Sequence, residues 1–151
     1  MDDRLRCLTI EKMTNADVDG VAALEKEVFS TPWSHESIEE ELANPLAQIF
    51  VAKDNGRVIG YIGMHFIIDE GYITNIAVSE NYRRNGIATT LLKKVYKFAK
   101  EQELSFLSLE VRKSNDVAIR FYEREGFDIE GERIDFYSNP VEDGYIMTKR
   151  F

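Results

Sequence analysis

The strongest constraint on the fold is a hairpin signal in the centre of the chain. Residues 48–53 and 58–68 are two β-like runs, and residues 54–56 (Asp-Asn-Gly) stand between them. An Asn-Gly pair favours a tight antiparallel turn because both residues accept positive φ angles. A third β-like run, residues 72–78, follows another short turn. The centre of the chain is therefore predicted to be an antiparallel meander.

Helical and further strand-like patterns flank this meander. Before it, Leu8–Lys12 can form a short strand, Thr14 or Asn15 can cap a helix with a mostly apolar face, and Ser34 can cap a short acidic helix. After it, the pattern predicts a helix over residues 86–102, a strand over 105–111, a helix from Asn115 to Gly126, and two strands over about 127–137 and 145–151. This order of elements is typical of an α+β fold, an α/β sandwich.

Length, charge and cysteine content limit the class of protein. The 151 residues fit one domain, residues 1–151. The formal net charge of −8 disfavours nucleic acid and favours cationic partners, although many proteins are acidic for solubility alone. Cys7 is the only cysteine, His35 and His65 lack metal-ligand spacing, and residues 58–68, the most apolar run, are too short to span a bilayer. With no signal peptide in the sequence, we expect a cytoplasmic protein with no metal, membrane or nucleic-acid partner.

Residues 78–89 are the segment most informative about chemistry, because they lead from a strand through a loop into an amphipathic helix. The first N–H groups of a helix lack intrahelical partners and carry partial positive charge, so such a turn can bind phosphate. Gly86 would let a ligand approach the backbone. The segment is neither a P-loop nor a dinucleotide fingerprint. From the spacing alone, a phosphate site and a simple helix start beside the solvated Arg83 and Arg84 remain equal alternatives.

Residues 83–88 (Arg-Arg-Asn-Gly-Ile-Ala) resemble the pyrophosphate-binding motif Arg/Gln-x-x-Gly-x-Gly/Ala of the GCN5-related N-acetyltransferases (GNAT). The same family is matched in register by residues 75–78, 109–115 and 118–127. Residues 29–34 and 135–147 resemble, more narrowly, the RimI type, the bacterial enzymes that acetylate the N-terminal alanine of a small-subunit ribosomal protein. The resemblance covers nearly the whole chain.

This resemblance implies both a fold and a cosubstrate. The implied GNAT fold is a mixed, mostly antiparallel sheet of about six to seven strands, splayed open beside the strand that ends near Val78 and flanked by about four helices. Acetyl-CoA is implied to lie in the split, with its pantetheine arm against the strand backbone and its pyrophosphate on the loop amides. The implied cofactor-binding residues are Ile76, Ala77, Val78, Arg83, Arg84, Asn85, Gly86, Ile87, Ala88, Thr89 and Asn115.

The resemblance also assigns the chemistry to two side chains. Acetyl transfer to an amine requires deprotonation of the amine, stabilisation of the carbonyl oxygen and neutralisation of the thiolate. Glu110 and Tyr122 hold the positions of general base and general acid in the RimI-type pattern, and a backbone N–H near Val78 would polarise the carbonyl. From the residues alone, a solvated strand glutamate and a core tyrosine remain alternatives. We expect direct attack in a ternary complex, because Cys7 lies outside the motif and is better explained as a small buried residue.

The acceptor is less closely defined by the sequence than the chemistry. Trp33 and Tyr137 are candidate substrate-binding residues, although Trp33 could equally close the core. Phe136 stands where the RimI type commonly has the first tyrosine of a pair. The resemblance implies a basic N-terminal peptide of a protein, such as a ribosomal protein, and we expect a monomer or weak dimer. Two alternatives stay open, an acetyltransferase for a small cationic amine and a non-catalytic CoA-binding module.

Overall fold

The computed structural model describes residues 8–151, in which seven strands form one mixed sheet. The strands are β1 (Leu8–Lys12), β2 (Ala47–Asp54), β3 (Arg57–Ile67), β4 (Glu70–Val78), β5 (Phe106–Arg112), β6 (Asp128–Tyr137) and β7 (Glu142–Arg150). Their order in the sheet is β1-β2-β3-β4-β5-β7-β6, and of these neighbours only β4 and β5 are parallel. Cys7, expected to be a small buried residue, lies outside the described residues.

Four α-helices in the described part of the chain cover the sheet, and their starts follow the capping signals in the sequence. They are α1 (Val18–Val28), α2 (His35–Ala43), α3 (Ile87–Glu101) and α4 (Asp116–Arg124). The Ser34 hydroxyl accepts the Ser37 N–H at 3.1 Å, which caps α2 as predicted. Thr14 caps a short 3-10 turn (Asn15–Asp17) that runs into α1. None of the described helices is long and apolar enough to cross a membrane.

The sheet carries an apolar core on each face. We call these the α1/α2 face and the α3/α4 face, after the helices that cover them. Val21 and Ile38 pack with Tyr61 on the α1/α2 face. Leu91 and Ile119 pack on the α3/α4 face. Side chains of the central strands alternate between the two cores, so each strand delivers residues to both sides of the sheet.

The sheet is split between β4 and β5. The two strands are paired only from Glu70 and Phe106 to Tyr72 and Ser108, after which their pairing ends. Six further residues of β4 continue along β3 alone. The predicted mixed, mostly antiparallel sheet that opens beside this strand is therefore confirmed.

A β-bulge in β4 changes which way its side chains face where the sheet opens. The register with β3 shifts so that Thr74 is an extra residue on β4. Ile73 packs in the core on the α3/α4 face, whereas the Asn75 amide reaches the Tyr61 hydroxyl on the α1/α2 face. Without the extra residue, side chains two positions apart would share a face. The bulge therefore brings a polar side chain to the α1/α2 face beside the split.

Candidate active site

The loop before α3 presents backbone N–H groups to open space. Gly86 has a φ of +74° and directly precedes Ile87, the first residue of α3. The Thr90 N–H donates to the Gly86 carbonyl at 3.0 Å, so the amides of Ile87, Ala88 and Thr89 have no partner within the helix. A Cβ placed at Gly86 would have no atom within 4 Å. These amides form the positive end of α3, with room for an anion in front of them.

Two side chains shape this loop and a third extends from it. The Asn85 amide donates to the carbonyls of Tyr82 at 3.2 Å and Arg83 at 3.1 Å. Arg83 donates from Nε to the Val78 carbonyl at 3.2 Å, which ties the loop to the end of β4. Arg84 has a φ of +65° and an exposed side chain that forms no hydrogen bond or ion pair within residues 8–151. The guanidinium of Arg84 is therefore available to a bound phosphate.

The second half of β4 offers an uncovered backbone edge toward the split. The Ser79 N–H donates to the Ile59 carbonyl of β3 at 2.8 Å. Because bonded and non-bonded pairs alternate in an antiparallel ladder, the Ala77 backbone is also bonded to β3. Ile76 and Val78 fall between these bonded pairs and direct their N–H and C=O groups toward the split. The predicted pantetheine segment thus has a strand edge made by Ile76 and Val78, with Ala77 between them.

Glu110 lies on the α1/α2 face of β5, beyond the point where β5 leaves β4. Its neighbours Leu109 and Val111 pack into the core of the α3/α4 face, so alternation turns Glu110 to the opposite face. The side chain is 31% exposed, and its Oε1 lies 3.3 Å from Nε of Arg133 on β6. This carboxylate is oriented by an ion pair and still accessible, which is what a proton acceptor for an incoming amine requires.

Tyr122, on α4, belongs to the core of the α3/α4 face. Burial, and then the neighbouring Tyr137 phenol, raise the pKa of Tyr122 to about 12. No described residue hydrogen-bonds its hydroxyl, and within the described part of the chain no fully buried side-chain polar atom lacks a partner. The hydroxyl therefore lies at the margin of the core as a protonated donor that no group of residues 8–151 uses.

Tyr137, on β6, connects the two candidate catalytic residues. Burial, and then the Glu110 carboxylate, raise the pKa of Tyr137 to about 12. The Tyr137 phenol in turn contributes to the raised pKa of Tyr122. The three side chains come from β5, α4 and β6, and Tyr137 is the member that lies near both of the others. Glu110 and Tyr122 approach from opposite faces, so the split in the sheet is where both could reach one ligand.

Arg112 fixes the loop that follows Tyr137. Its guanidinium donates to the carbonyls of Ser138 at 2.9 Å and Pro140 at 3.0 Å, and to the Glu142 carboxylate at 3.2 Å. The guanidinium carbon also lies 4.6 Å from the centre of the Tyr137 ring. The position of Tyr137 therefore depends on a residue two places after the candidate base on β5.

Trp33 packs against the core and also lines an open cleft. Its half-buried side chain packs against the core of the α1/α2 face, and it also lines a cleft of about 490 Å³ beside α2. We call this the α2 cleft, and its lining residues are Trp33, Ser37, Glu40, Glu41 and Asn44. Glu41 is hydrogen-bonded to His65, which pairs across the strands with Tyr72. Burial, then the Glu70 carboxylate and last the Glu110 carboxylate raise the pKa of Tyr72. The α2 cleft and Glu110 thus lie on the same face of the sheet.

Two other predicted cofactor-binding residues also have structural contacts. The Asn115 Oδ1 accepts the Ala118 N–H at 3.2 Å and caps α4. The Nδ2 group of Asn115 takes no part in this cap. The Thr89 hydroxyl lies 3.4 Å from the Glu125 carboxylate. Within residues 8–151 no three His, Cys, Asp or Glu side chains form a group that could hold a metal ion.

The structure adds residues that the sequence analysis did not select. Arg112 carried no signal beyond its place in the matched segment 109–115. Glu25 lies on the predicted apolar face of α1, and a carboxylate in such a stripe is a signal that it is buried and bonded. The residue is 1% exposed and accepts hydrogen bonds from Tyr61 and Trp33.

Comparison with known proteins identifies a family. Residues 18–127 match the family described as "Acetyltransferase (GNAT) family". The chain is 35% identical over 139 residues to the putative [ribosomal protein bS18]-alanine N-acetyltransferase of Bacillus subtilis, covering 91% of this chain and 92% of that protein. The activity in the name of this relative is the one that the sequence motifs resemble.

Solved structures agree with the fold. The ribosomal-protein-S18-alanine N-acetyltransferase of Escherichia coli matches with a TM-score of 0.87 and 28% identity over 95% of this chain and 93% of that chain. NAA60 of Arabidopsis thaliana in complex with acetyl-CoA matches with a TM-score of 0.87 over 95% of this chain and 98% of that chain. At 18% identity, this second likeness concerns the fold alone.

Proposed function

This chain belongs to the acetyltransferase (GNAT) family, and we propose that residues 1–151 form one catalytic domain that acetylates the N-terminal α-amine of a protein. The proposed donor is acetyl-CoA, and the proposed acceptor is a basic N-terminal peptide of the ribosomal-protein-alanine type. Names of two similar proteins support this acceptor class, since both refer to the alanine of a ribosomal protein. A ribosomal acceptor would locate the reaction in the cytoplasm.

One observation carries the proposal: residues 79–86 join the uncovered edge of β4 to the N–H groups at the start of α3. Ile76 supplies a strand-edge N–H and C=O and Val78 supplies a strand-edge N–H, its carbonyl already accepting from Arg83, and these groups suit the amides of a pantetheine arm. The amides of residues 87–89 and the free guanidinium of Arg84 suit a pyrophosphate. An extended arm that ends in a diphosphate fits this pair of features, and when bound it supplies an activated acetyl thioester.

Glu110 is proposed to accept a proton from the attacking amine, directly or through water. An α-ammonium group must lose a proton before nitrogen can attack a carbonyl carbon. The ion pair with Arg133 orients the carboxylate, and the 31% exposure leaves it accessible from the α1/α2 face. The N–H of Val78 or Ile76, directed into the split, is proposed to stabilise the negative charge that develops on the carbonyl oxygen.

Tyr122 is proposed to donate its proton to the departing sulfur. Its pKa of about 12 keeps the hydroxyl protonated at neutral pH, and within residues 8–151 no other group takes this proton. A thiolate leaves more readily when a positioned acid neutralises it. Because Glu110 and Tyr122 approach from opposite faces, the acceptor would enter from the α1/α2 face and the donor from the α3/α4 face.

The acceptor side is proposed to consist of the α2 cleft and the loop after Tyr137. Glu40 and Glu41 add negative charge to the cleft, which suits a cationic peptide together with the net charge of −8. Tyr137 is proposed to contact the peptide terminus, and Trp33 is proposed to line its path. Phe136 cannot supply the hydroxyl of the first tyrosine in the RimI-type pair, so recognition would depend on Tyr137.

Mass spectrometry of a panel of amines incubated with acetyl-CoA tests the proposal. The panel contains alanine-, serine- and methionine-initiated basic peptides, an N-terminally blocked peptide with an internal lysine, and spermidine. We expect single acetylation of the alanine-initiated peptide at its α-amine. Acetylation of spermidine alone would replace the proposal with a small-amine acetyltransferase. Tight CoA binding without acetylation of any amine would instead indicate a non-catalytic module.

A further inference from the structure

Glu25 on α1 is a buried carboxylate for which the proposed reaction has no use. The residue is 1% exposed, and it forms no ion pair within the described part of the chain. Its two oxygens accept separate hydrogen bonds, Oε1 from the Trp33 backbone N–H at 2.9 Å and Oε2 from the Tyr61 hydroxyl at 2.7 Å. Burying a carboxylate is costly unless donors compensate for lost water, so this arrangement is a specific one.

The hydrogen bonds of Glu25 continue to the edge of the split. The Tyr61 hydroxyl accepts from the Asn75 amide at 2.9 Å, and Asn75 stands next to the bulge in β4. Burial and the Glu25 carboxylate raise the pKa of Tyr61, so the phenol stays protonated and acts as a donor to Glu25. One carboxylate therefore connects α1, the loop that carries Trp33, and β4 beside Ile76.

Glu27, two residues further along α1, connects the helix to the segment that follows β4. Its carboxylate accepts from the Ser79 hydroxyl at 2.9 Å and from the Glu80 backbone N–H at 2.9 Å. Ser79 and Glu80 lie between the end of β4 and the loop before α3. The Glu80 N–H, then the Ser79 hydroxyl, lower the pKa of Glu27, so this carboxylate stays ionised at neutral pH.

We propose that α1 aligns the two substrates through these carboxylates, with Glu25 as a positioning residue for the acceptor and Glu27 as a positioning residue for acetyl-CoA. This inference rests on the proposed acetyltransferase function. Glu25 acts through the Trp33 loop, because its burial prevents contact with a peptide. Glu27 acts through Ser79 and Glu80, which set where the phosphate-binding loop begins.

The physical reason is the rigidity of the helix between the two residues. Two residues of an α-helix span about 3 Å along the axis, so the positions of Glu25 and Glu27 are coupled. Each of these hydrogen bonds has a charged acceptor, which makes it stronger than a bond between neutral groups and able to hold a short loop in one conformation. Loss of one carboxylate should therefore misplace one substrate and leave the other in position.

Steady-state kinetics and calorimetry on isosteric variants test this division of roles. The variants are Glu25→Gln, Tyr61→Phe and Glu27→Gln, and Glu101→Gln is the control because this exposed residue on α3 forms no hydrogen bond or ion pair within residues 8–151. The readouts are KM for the alanine-initiated peptide, KM for acetyl-CoA, the Kd of CoA and the melting temperature. Glu25→Gln and Tyr61→Phe should raise the peptide KM about tenfold with the acetyl-CoA KM within about twofold of wild type.

Glu27→Gln should show the reverse pattern, with the Kd of CoA about tenfold higher and the peptide KM nearly unchanged. Adding Glu25→Gln to Trp33→Ala should change the peptide KM much less than adding it to wild type, since the effect passes through Trp33. A residue with only a structural role would lower the melting temperature without this split between the two constants. Equal changes in both constants, or a lower melting temperature alone, would overturn the inference.

The outcomes also separate this inference from the proposed function. An active wild-type enzyme whose variants lack the split contradicts the inference and leaves the function standing. A wild-type chain that acetylates no amine contradicts the function, and the Kd of CoA then decides the inference. Glu27→Gln must still weaken CoA binding and Glu25→Gln must not.

Discussion

Glu110 owes its candidate role to alternation along one strand. Leu109 and Val111 face the core, so the Glu110 side chain between them faces the opposite side of the sheet. The ion pair with Arg133 then orients its carboxylate. The sequence predicts this facing, because period-two patterning is local. The ion pair with Arg133 was not foreseeable, since its partner comes from another strand.

Replacing Glu110 with Gln should lower kcat/KM for the peptide about 10²–10⁴-fold at neutral pH, because an amide cannot accept the amine proton. The measurement is initial-rate acetylation across a range of pH values. Glu130→Gln is a matched control, since this strand glutamate is also in an ion pair with an arginine, Arg150. An undiminished rate for Glu110→Gln would remove Glu110 from the role of base.

Replacing Tyr122 with Phe should leave CoA binding intact and lower kcat about 10²-fold, because the sulfur would lose its proton donor. The wild-type pKa of about 12 is raised, so the protonated donor persists at every lower pH. The pH profile should therefore have no limb from Tyr122 below about pH 10. Tyr96→Phe, which removes a hydroxyl bonded to Glu125 on the same face, is the control and should keep full kcat.

At the scale of elements, the start of α3 depends on the left-handed Gly86. Replacing Gly86 with Ala should cost roughly 1–2 kcal/mol of stability, because L-residues disfavour positive φ. The added Cβ would also project into the open space before the helix amides, so the Kd of CoA should rise by about tenfold or more. Chemical denaturation and calorimetric titration measure these two effects.

Gly56→Ala separates strain from loss of the binding site. Gly56 lies in the β2–β3 turn with a φ of +84°, and a Cβ added there, as at Gly86, would have no atom within 4 Å. This variant should lose similar stability and keep wild-type CoA affinity. Equal CoA affinities for the two variants would contradict a phosphate site at Gly86.

Element boundaries followed local chemistry closely. The Asn55-Gly56 turn, the Ser34 and Asn115 caps and Gly126 after α4 all lie where the sequence predicts them, because turns and caps depend on adjacent residues. The bulge at Thr74 had no such signal. An extra residue in a ladder is defined by the register with the partner strand, and the side-chain pattern of β4 alone does not say where that register shifts.

At the scale of the whole molecule, the split joins the two faces of the sheet. Glu110 and the α2 cleft lie on one face, and Tyr122 packs on the other, so donor and acceptor would have to be bound together.

Initial-rate kinetics should therefore give intersecting double-reciprocal lines. Intact-mass measurement after incubation with acetyl-CoA alone should show no acetylated enzyme, and Cys7→Ser should keep full activity. Parallel lines with a trapped acetyl-cysteine would contradict direct transfer.

By itself the sequence determined the elements, the facing of Glu110 and the strand-loop-helix turn before α3, because hydrophobic period, caps and turn residues act over a few neighbouring positions. Only the tertiary structure decided where β4 and β5 stop pairing, and that Tyr137 from β6 comes near enough to Glu110 and Tyr122 for the Glu110 carboxylate to add to the raised pKa of Tyr137 and for Tyr137 to add to that of Tyr122. The same holds for Glu25, whose burial depends on Tyr61 and Trp33 closing over it. Such features depend on which segments pack together in the folded chain, and local sequence patterns do not specify that packing.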